Sequence, residues 1–198
     1  MEKFRKKKLA PFNDVLVIAT CNFHDERGFF SEHYNKKEIE MLTETSVDFV
    51  QDNFSSSKKG VLRGLHFQSE PYSQYKLLRV IHGEILDVVV DLRTKQETFG
   101  KWASIILSDT SNEMLFLPSG FAHGFLCLST CAQVHYKCSN YYNKKLIDEA
   151  ADIGTKSIKL NYINEPLLRK DLEEAIAYAR SKGIINIYFV TNGSLLTE

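Results

Sequence analysis

The chain has 198 residues, a length that suits one domain or one domain with an appendage. Its 25 Lys and Arg balance 25 Asp and Glu, and a chain without net charge is a poor fit to nucleic acid as its main partner. Hydrophobic residues at 43% and charged residues at 25% exclude a disordered chain, and no apolar run nears the roughly 20 residues of a membrane helix. The first ten residues are basic, but no apolar stretch follows them, so a secretory signal is not expected.

Short runs rich in Val, Ile, Phe and Tyr, set between Gly, Asn, Ser and Pro turns, predict strands in chain order. They fall at 15–18, 28–30, 61–68, 77–81, 85–92, 102–107, 114–117, 125–128 and 133–138. Asn35, ahead of Ile39 and Leu42, predicts one short capped helix. The spacing of about ten residues suits a sandwich or barrel rather than βαβ units. Near Asp171 the composition shifts: 171–180 reads as a helix stopped at Gly183, and 183–190 as a β run. The expected layout is a β domain over residues 1–162 and an α/β tail over 163–198.

Four cysteines (Cys21, Cys127, Cys131, Cys138) form no CxxC pair and read as buried, reduced thiols of a cytoplasmic protein. Six histidines are scattered without an HxH pair, so no metal site is expected. Two of them stand out. His66 lies in a β run with Arg63 and Gly64, which puts a cation and a titratable base in one neighbourhood. Strict alternation sets Arg63 and His66 on opposite faces, and a bend at Gly64 would alter that parity. His123 lies between Gly120 and Gly124, where the chain can turn sharply before a strand. Tyr136 offers a phenol that can act as an acid, and Lys76 and Arg79 flank two leucines in a β run.

Taken in order, 25–32, 51–57, 61–68, 76–83, 87–93, 98–102, 117–125 and 136–138 resemble the dTDP-4-dehydrorhamnose 3,5-epimerase family over about residues 10–143. The three phrases at 63–68, 90–102 and 120–125 are together highly specific. The resemblance implies a mainly β, jelly-roll (cupin) barrel, usually a homodimer, that works without metal or organic cofactor. It implies a nucleotide-linked 4-keto-6-deoxy sugar as substrate, in the making of a bacterial surface polysaccharide. By matching position, His66 is the general base and Tyr136 the acid on the opposite face. Lys76 and Arg63 stand at the keto oxygen, and His123 lines the pocket. Arg27, Phe30 and Glu32 belong to a nucleotide-binding segment that in the family can reach the partner subunit. Gln51 and Asn53 add contacts, and Tyr142 or its neighbour Tyr141 lines the nucleotide side.

Beyond Tyr142 the family pattern fades. The nearest match to the carboxylate that orients the base is Asp171, and Asp87 competes for that role. The unusual tail leaves open a GDP-linked 4-keto heptose and inversion at C3 or C5 alone. A non-catalytic sugar-nucleotide-binding barrel, a metal-dependent oxygenase and a 3,4-ketoisomerase are the rival readings. The first of these would not need His66, Tyr136 and a carboxylate together.

Overall fold

A computed structural model describes residues 3–141, 157–159, 177, 180, 181 and 186–188. Contacts divide the chain into Met1–Tyr141 and Tyr142–Glu198. The first unit is built on two antiparallel sheets. One runs in the order β1 (Phe4–Lys8), β2 (Leu16–Thr20), β10 (Glu113–Leu117), β7 (Lys76–His82), β12 (Cys131–Cys138), β5 (Gln51–Lys58). The other runs β6 (Leu62–His66), β11 (Phe121–Cys127), β8 (Glu84–Asp91), β9 (Trp102–Ser108). A separate hairpin pairs β3 (Asn22–Asp25) with β4 (Gly28–Ser31). This is the expected mainly β, jelly-roll class.

Alternating side chains give each sheet an inner face. Val15, Val17, Leu78, Val80, Leu115, Leu117 and Val134 of the six-stranded sheet meet Ile85, Val89, Leu107, Phe121 and Phe125 of the four-stranded one in a single core. Each such side chain, fully buried, contributes about 1.5–3 kcal/mol from apolar burial. A second cluster covers part of the outer face of the six-stranded sheet. There Leu16, Ile18, Leu77, Met114 and Phe116 pack under Ile39 and Val47. Ile39 belongs to α1 (Lys36–Thr43), the predicted helix, whose cap Asn35 accepts a bond from the Glu38 N–H at 3.3 Å. Outside that cover, Phe54 of β5 is 57% exposed and Ile81 of β7 is 42% exposed.

Among the described residues, β1, β3, β5 and β13 (Ser157–Lys159) lie where no strand was predicted. β1 is the basic stretch, and it forms a sheet edge with Arg5–Lys8 exposed. Edge lysines keep an open edge from recruiting further strands. β5 is polar because it too is an edge, with buried Ser55 and Ser57 facing inward.

The phrases at 87–93 and 98–102 fasten one end of the sandwich. Asp91, fully buried, accepts bonds from Arg93 Nε at 2.9 Å, Arg93 Nη2 at 2.7 Å and Thr98 Oγ1 at 2.6 Å. Arg93 also reaches Asp14 and stacks over the Phe121 ring at 4.2 Å.

In the second unit β13 (Ser157–Lys159) pairs in parallel with β14 (Asn186–Tyr188), and β14 falls inside the run predicted at 183–190. Ala177, Arg180 and Ser181 are helical, at the end of the helix predicted over 171–180.

Candidate active site

Cross-strand register brings chemistry to one end of the inner faces. On the six-stranded sheet Cys138 of β12 stands opposite Lys76 of β7 and Gln51 of β5. Two residues along, Tyr136 stands opposite Leu78 and Asn53. On the four-stranded sheet His123 of β11 stands opposite His66 of β6 and Val89 of β8, while Phe125 stands opposite Arg63 and Asp87. Gln51, Asn53, Arg63, His66, Lys76, His123 and Tyr136 therefore share the inward side.

Arg63 and His66 share that side because the ladder slips. Between the pairs His123–His66 and Phe125–Arg63, β11 spends one residue and β6 spends two. The bend at Gly64 thus overrides simple alternation. Gly64 has φ +118°, and a Cβ there would sit 2.5 Å from Gly124 Cα. A Cβ on Gly124 would sit 2.6 Å from the Arg63 carbonyl oxygen. The two strands touch backbone to backbone, so both positions require glycine.

The electrostatics follow from burial. The His66 and His123 rings lie 4.7 Å apart, tilted by 53°. His66 keeps surface open to solvent, yet the protein around its imidazole lowers its pKa from 6.5, and Lys76, His123 and Arg63 act in the same direction. A neutral imidazole is the form a general base needs. Lys76 is only 6% exposed, and burial lowers its ammonium to about 8, with Cys138 and Asp87 opposing the fall. Asp87 is fully buried and binds His123 Nδ1 through Oδ2 at 3.3 Å. Burial holds Asp87 well above its ordinary value and His123 well below its own.

Other polar groups bind one another around this centre. Gln51 Nε2 donates to Asn53 Oδ1 at 2.8 Å, and Asn53 Nδ2 donates to Cys138 Sγ at 3.6 Å. Arg63 crosses between the sheets, donating through Nε to Ser57 Oγ at 2.8 Å and through Nη2 to the Ser56 carbonyl at 3.1 Å. Ser57 and Cys138 were not singled out in the sequence. Nothing marked Ser57 apart from its neighbours Ser55 and Ser56, and Cys138 read as a core thiol. Among the described residues, no group of three or more His, Cys, Asp or Glu side chains is arranged to hold a metal ion.

The segment expected to bind nucleotide forms a two-stranded hairpin of its own. Arg27 pairs with Asp25, Glu32 takes Lys3 and Asn35 at 3.2 Å each, and Phe30 is 69% exposed on the β3–β4 hairpin. Among the described residues, the carboxyl of Asp87 meets His123 rather than His66. Asp171 and Tyr142 lie outside the described residues.

A family model described as dTDP-4-dehydrorhamnose 3,5-epimerase matches residues 10–176. The chain belongs to the dTDP-4-dehydrorhamnose 3,5-epimerase family. It is 47% identical to a dTDP-4-dehydrorhamnose 3,5-epimerase of Shigella flexneri over 156 residues, 78% of this chain and 86% of that one. A dTDP-6-deoxy-D-glucose-3,5-epimerase from Legionella pneumophila, solved with dTDP-4-keto-L-rhamnose, matches with a TM-score of 0.68 and 44% identity, covering 72% of this chain and 74% of that one. A 3'-monoepimerase from Streptomyces bikiniensis, solved as a double mutant with dTDP, matches with a TM-score of 0.64 and 27% identity over 90% and 91% of the two chains. The chain is thus an isomerase-class enzyme of nucleotide-sugar metabolism, an epimerase of the dTDP-rhamnose pathway.

Proposed function

We propose that this chain inverts both C3 and C5 of dTDP-4-keto-6-deoxyglucose, with His66 as base and Tyr136 as acid. The supporting observation is the convergence of His66 and His123 from one sheet with Lys76 and Tyr136 from the other. A C–H beside a ketone is acidified because its loss leaves an enolate. The 4-keto group flanks C3 and C5, so each centre can invert in turn. His66 takes the proton and becomes imidazolium as the C–H electron pair moves onto the keto oxygen. The Lys76 ammonium and the Arg63 guanidinium stabilise the oxyanion. Tyr136 then protonates the carbon from the opposite face, and solvent restores both groups. Proton-transfer groups of this kind contribute about 10²–10⁴-fold each. Asp171 is the group we assign to orient His66, and Tyr142 the one we assign to the nucleotide side.

The experiment is proton NMR in D₂O with dTDP-4-keto-6-deoxyglucose and, separately, GDP-linked 4-keto sugars. Deuterium at C3 and C5 of the dTDP sugar is the expected result. Deuterium at one carbon makes the chain a monoepimerase, and none with the dTDP sugar overturns the reading.

We further propose a homodimer in which the β3–β4 hairpin lends Arg27, Phe30 and Glu32 to the partner's site. The hairpin pairs only with itself and exposes Phe29 (61%) and Phe30 (69%). On the outer sheet face near exposed Phe54 and Ile81, Arg79 keeps Nε and Nη1 buried with no hydrogen-bond partner among the described residues. A partner chain that covers this face would supply acceptors for them. The four cysteines are free, which suits the reducing cytoplasm, and the product suits surface-polysaccharide assembly. Among the described residues no helix is long and apolar enough to cross a membrane.

A further inference from the structure

Asp87 projects from β8 into the closed side of the site, where it is 0% exposed. Its one hydrogen-bond partner among the described residues is His123 Nδ1 at 3.3 Å, and Oδ1 is buried with no partner. Buried carboxylate ions are held by several bonds or by a cation in contact. Neither holds here: Lys76 of β7 acts on Asp87 across a gap and forms no ion pair with it among the described residues. Among the described residues, the further titratable neighbours of this cluster are His66 on β6 with Arg63 beyond it, and on the facing sheet Cys138 beside Lys76 and Tyr136 beside Arg63. An ionised Asp87 would carry a bare buried anionic oxygen. A carboxylic acid needs only one acceptor for its O–H, and His123 Nδ1 is in place to be that acceptor.

We propose that Asp87 is a positioning residue that keeps its proton and donates it as a hydrogen bond to His123 Nδ1, so that His123 stands as a neutral imidazole with its own proton on Nε2. His123 is 4% exposed and its Nε2 is buried with no partner, so the ring has an N–H donor still unspent. The dyad adds a hydrogen-bond donor beside His66 without adding a charge. Burial acts in the same sense, raising the acid and lowering the imidazole. The arrangement leaves His66 as the site histidine that gains a proton during turnover, and Lys76 as the cation at the oxyanion. That the acceptor for Nε2–H is an oxygen of the sugar rests on the epimerase reading above. A neutral imidazole can serve an enolising site as an electrophile in this way.

Two measurements on the resting protein decide the proton positions without substrate. Infrared difference spectra of wild type against Asp87→Asn at neutral pH are expected to show a carboxylic-acid carbonyl band lost in the variant. Loss of a carboxylate band instead overturns the proposal. Nitrogen-15 NMR of histidine-labelled protein, with His123 assigned through His123→Gln, is expected to show His123 Nδ1 unprotonated and Nε2 protonated. The reverse tautomer, or an imidazolium, overturns it. Kinetics with dTDP-4-keto-6-deoxyglucose then test positioning. Asp87→Leu is expected to lower kcat by about 10²-fold, the worth of one donor at a developing oxyanion. Asp87→Asn, whose amide N–H can donate to Nδ1, is expected to recover most of that loss. Equal losses in the two variants overturn the positioning role. Because the spectra need no substrate, a failure of the tautomer is distinguishable from a failure of the substrate assignment.

Discussion

On the proposed roles, His66 and Lys76 set opposite ends of the working pH range. The His66 pKa is lowered from 6.5, so the base remains neutral, and active, to a pH below that of an ordinary imidazole. The Lys76 ammonium is lowered to about 8, so its charge, and the oxyanion stabilisation it gives, fades as pH rises through that value. The profile of kcat/KM for the free enzyme is expected to hold flat through neutrality and fall above about pH 8, and Lys76→Arg should move that fall to higher pH. An alkaline limb unmoved by Lys76→Arg would assign it to another group. His66→Ala is expected to lower solvent exchange at the sugar carbons by about 10²–10⁴-fold. Tyr136→Phe should retain exchange but lose inversion, and both effects are read by deuterium incorporation. At this scale the sequence was informative through residue type. His66, Lys76, Tyr136 and Arg63 carry chemistry whatever their surroundings. The bond between Asp87 and His123 was not legible, because it depends on which residues of β8 and β11 stand beside one another.

Elements explain where simple patterning failed. Apolar strands such as β7 and β8 were visible because their inner faces are core. β5 was hidden because its inward residues are serines and site amides, and β1 because its side chains are charged edge residues. Gly64 signalled a bend from sequence, but the reason for Gly124 appears only with β6 and β11 side by side. Gly124→Ala is expected to force the two backbones apart, costing about 1–3 kcal/mol of stability and more in activity, because Arg63 and His66 flank the contact. A urea titration and a rate measurement on the same sample check this. Loss of stability with full activity would mean that the strands part elsewhere.

For the whole molecule, the end of the sandwich beside Asp91 bears on stability. Arg93→Ala would strand a fully buried carboxylate and is expected to cost about 3–5 kcal/mol, read as a fall in the urea midpoint. Burial pushes Asp91 up, but its bonds to Arg93 and Thr98 hold it below 3.8. Its contribution is therefore complete above that value and is lost as pH falls through the lower folded value. Subunit exchange tests the shared site. Arg27→Ala and His66→Ala proteins, each impaired alone, should regain activity when mixed and allowed to re-associate, since one of the two sites then has an intact hairpin and an intact base. No recovery would confine each hairpin to its own subunit.

On the proposed roles, the site draws the base His66 from one sheet and Lys76 and the acid Tyr136 from the other, with the apolar core filling the space between them. Neither layer alone holds a working set of groups. Catalysis is thus a gauge of whether the two layers remain closed on each other, sensitive to separations too small to expose the core. Turnover should vanish at or before the onset of unfolding seen by fluorescence, and no proteolytic fragment holding a single sheet should retain any rate.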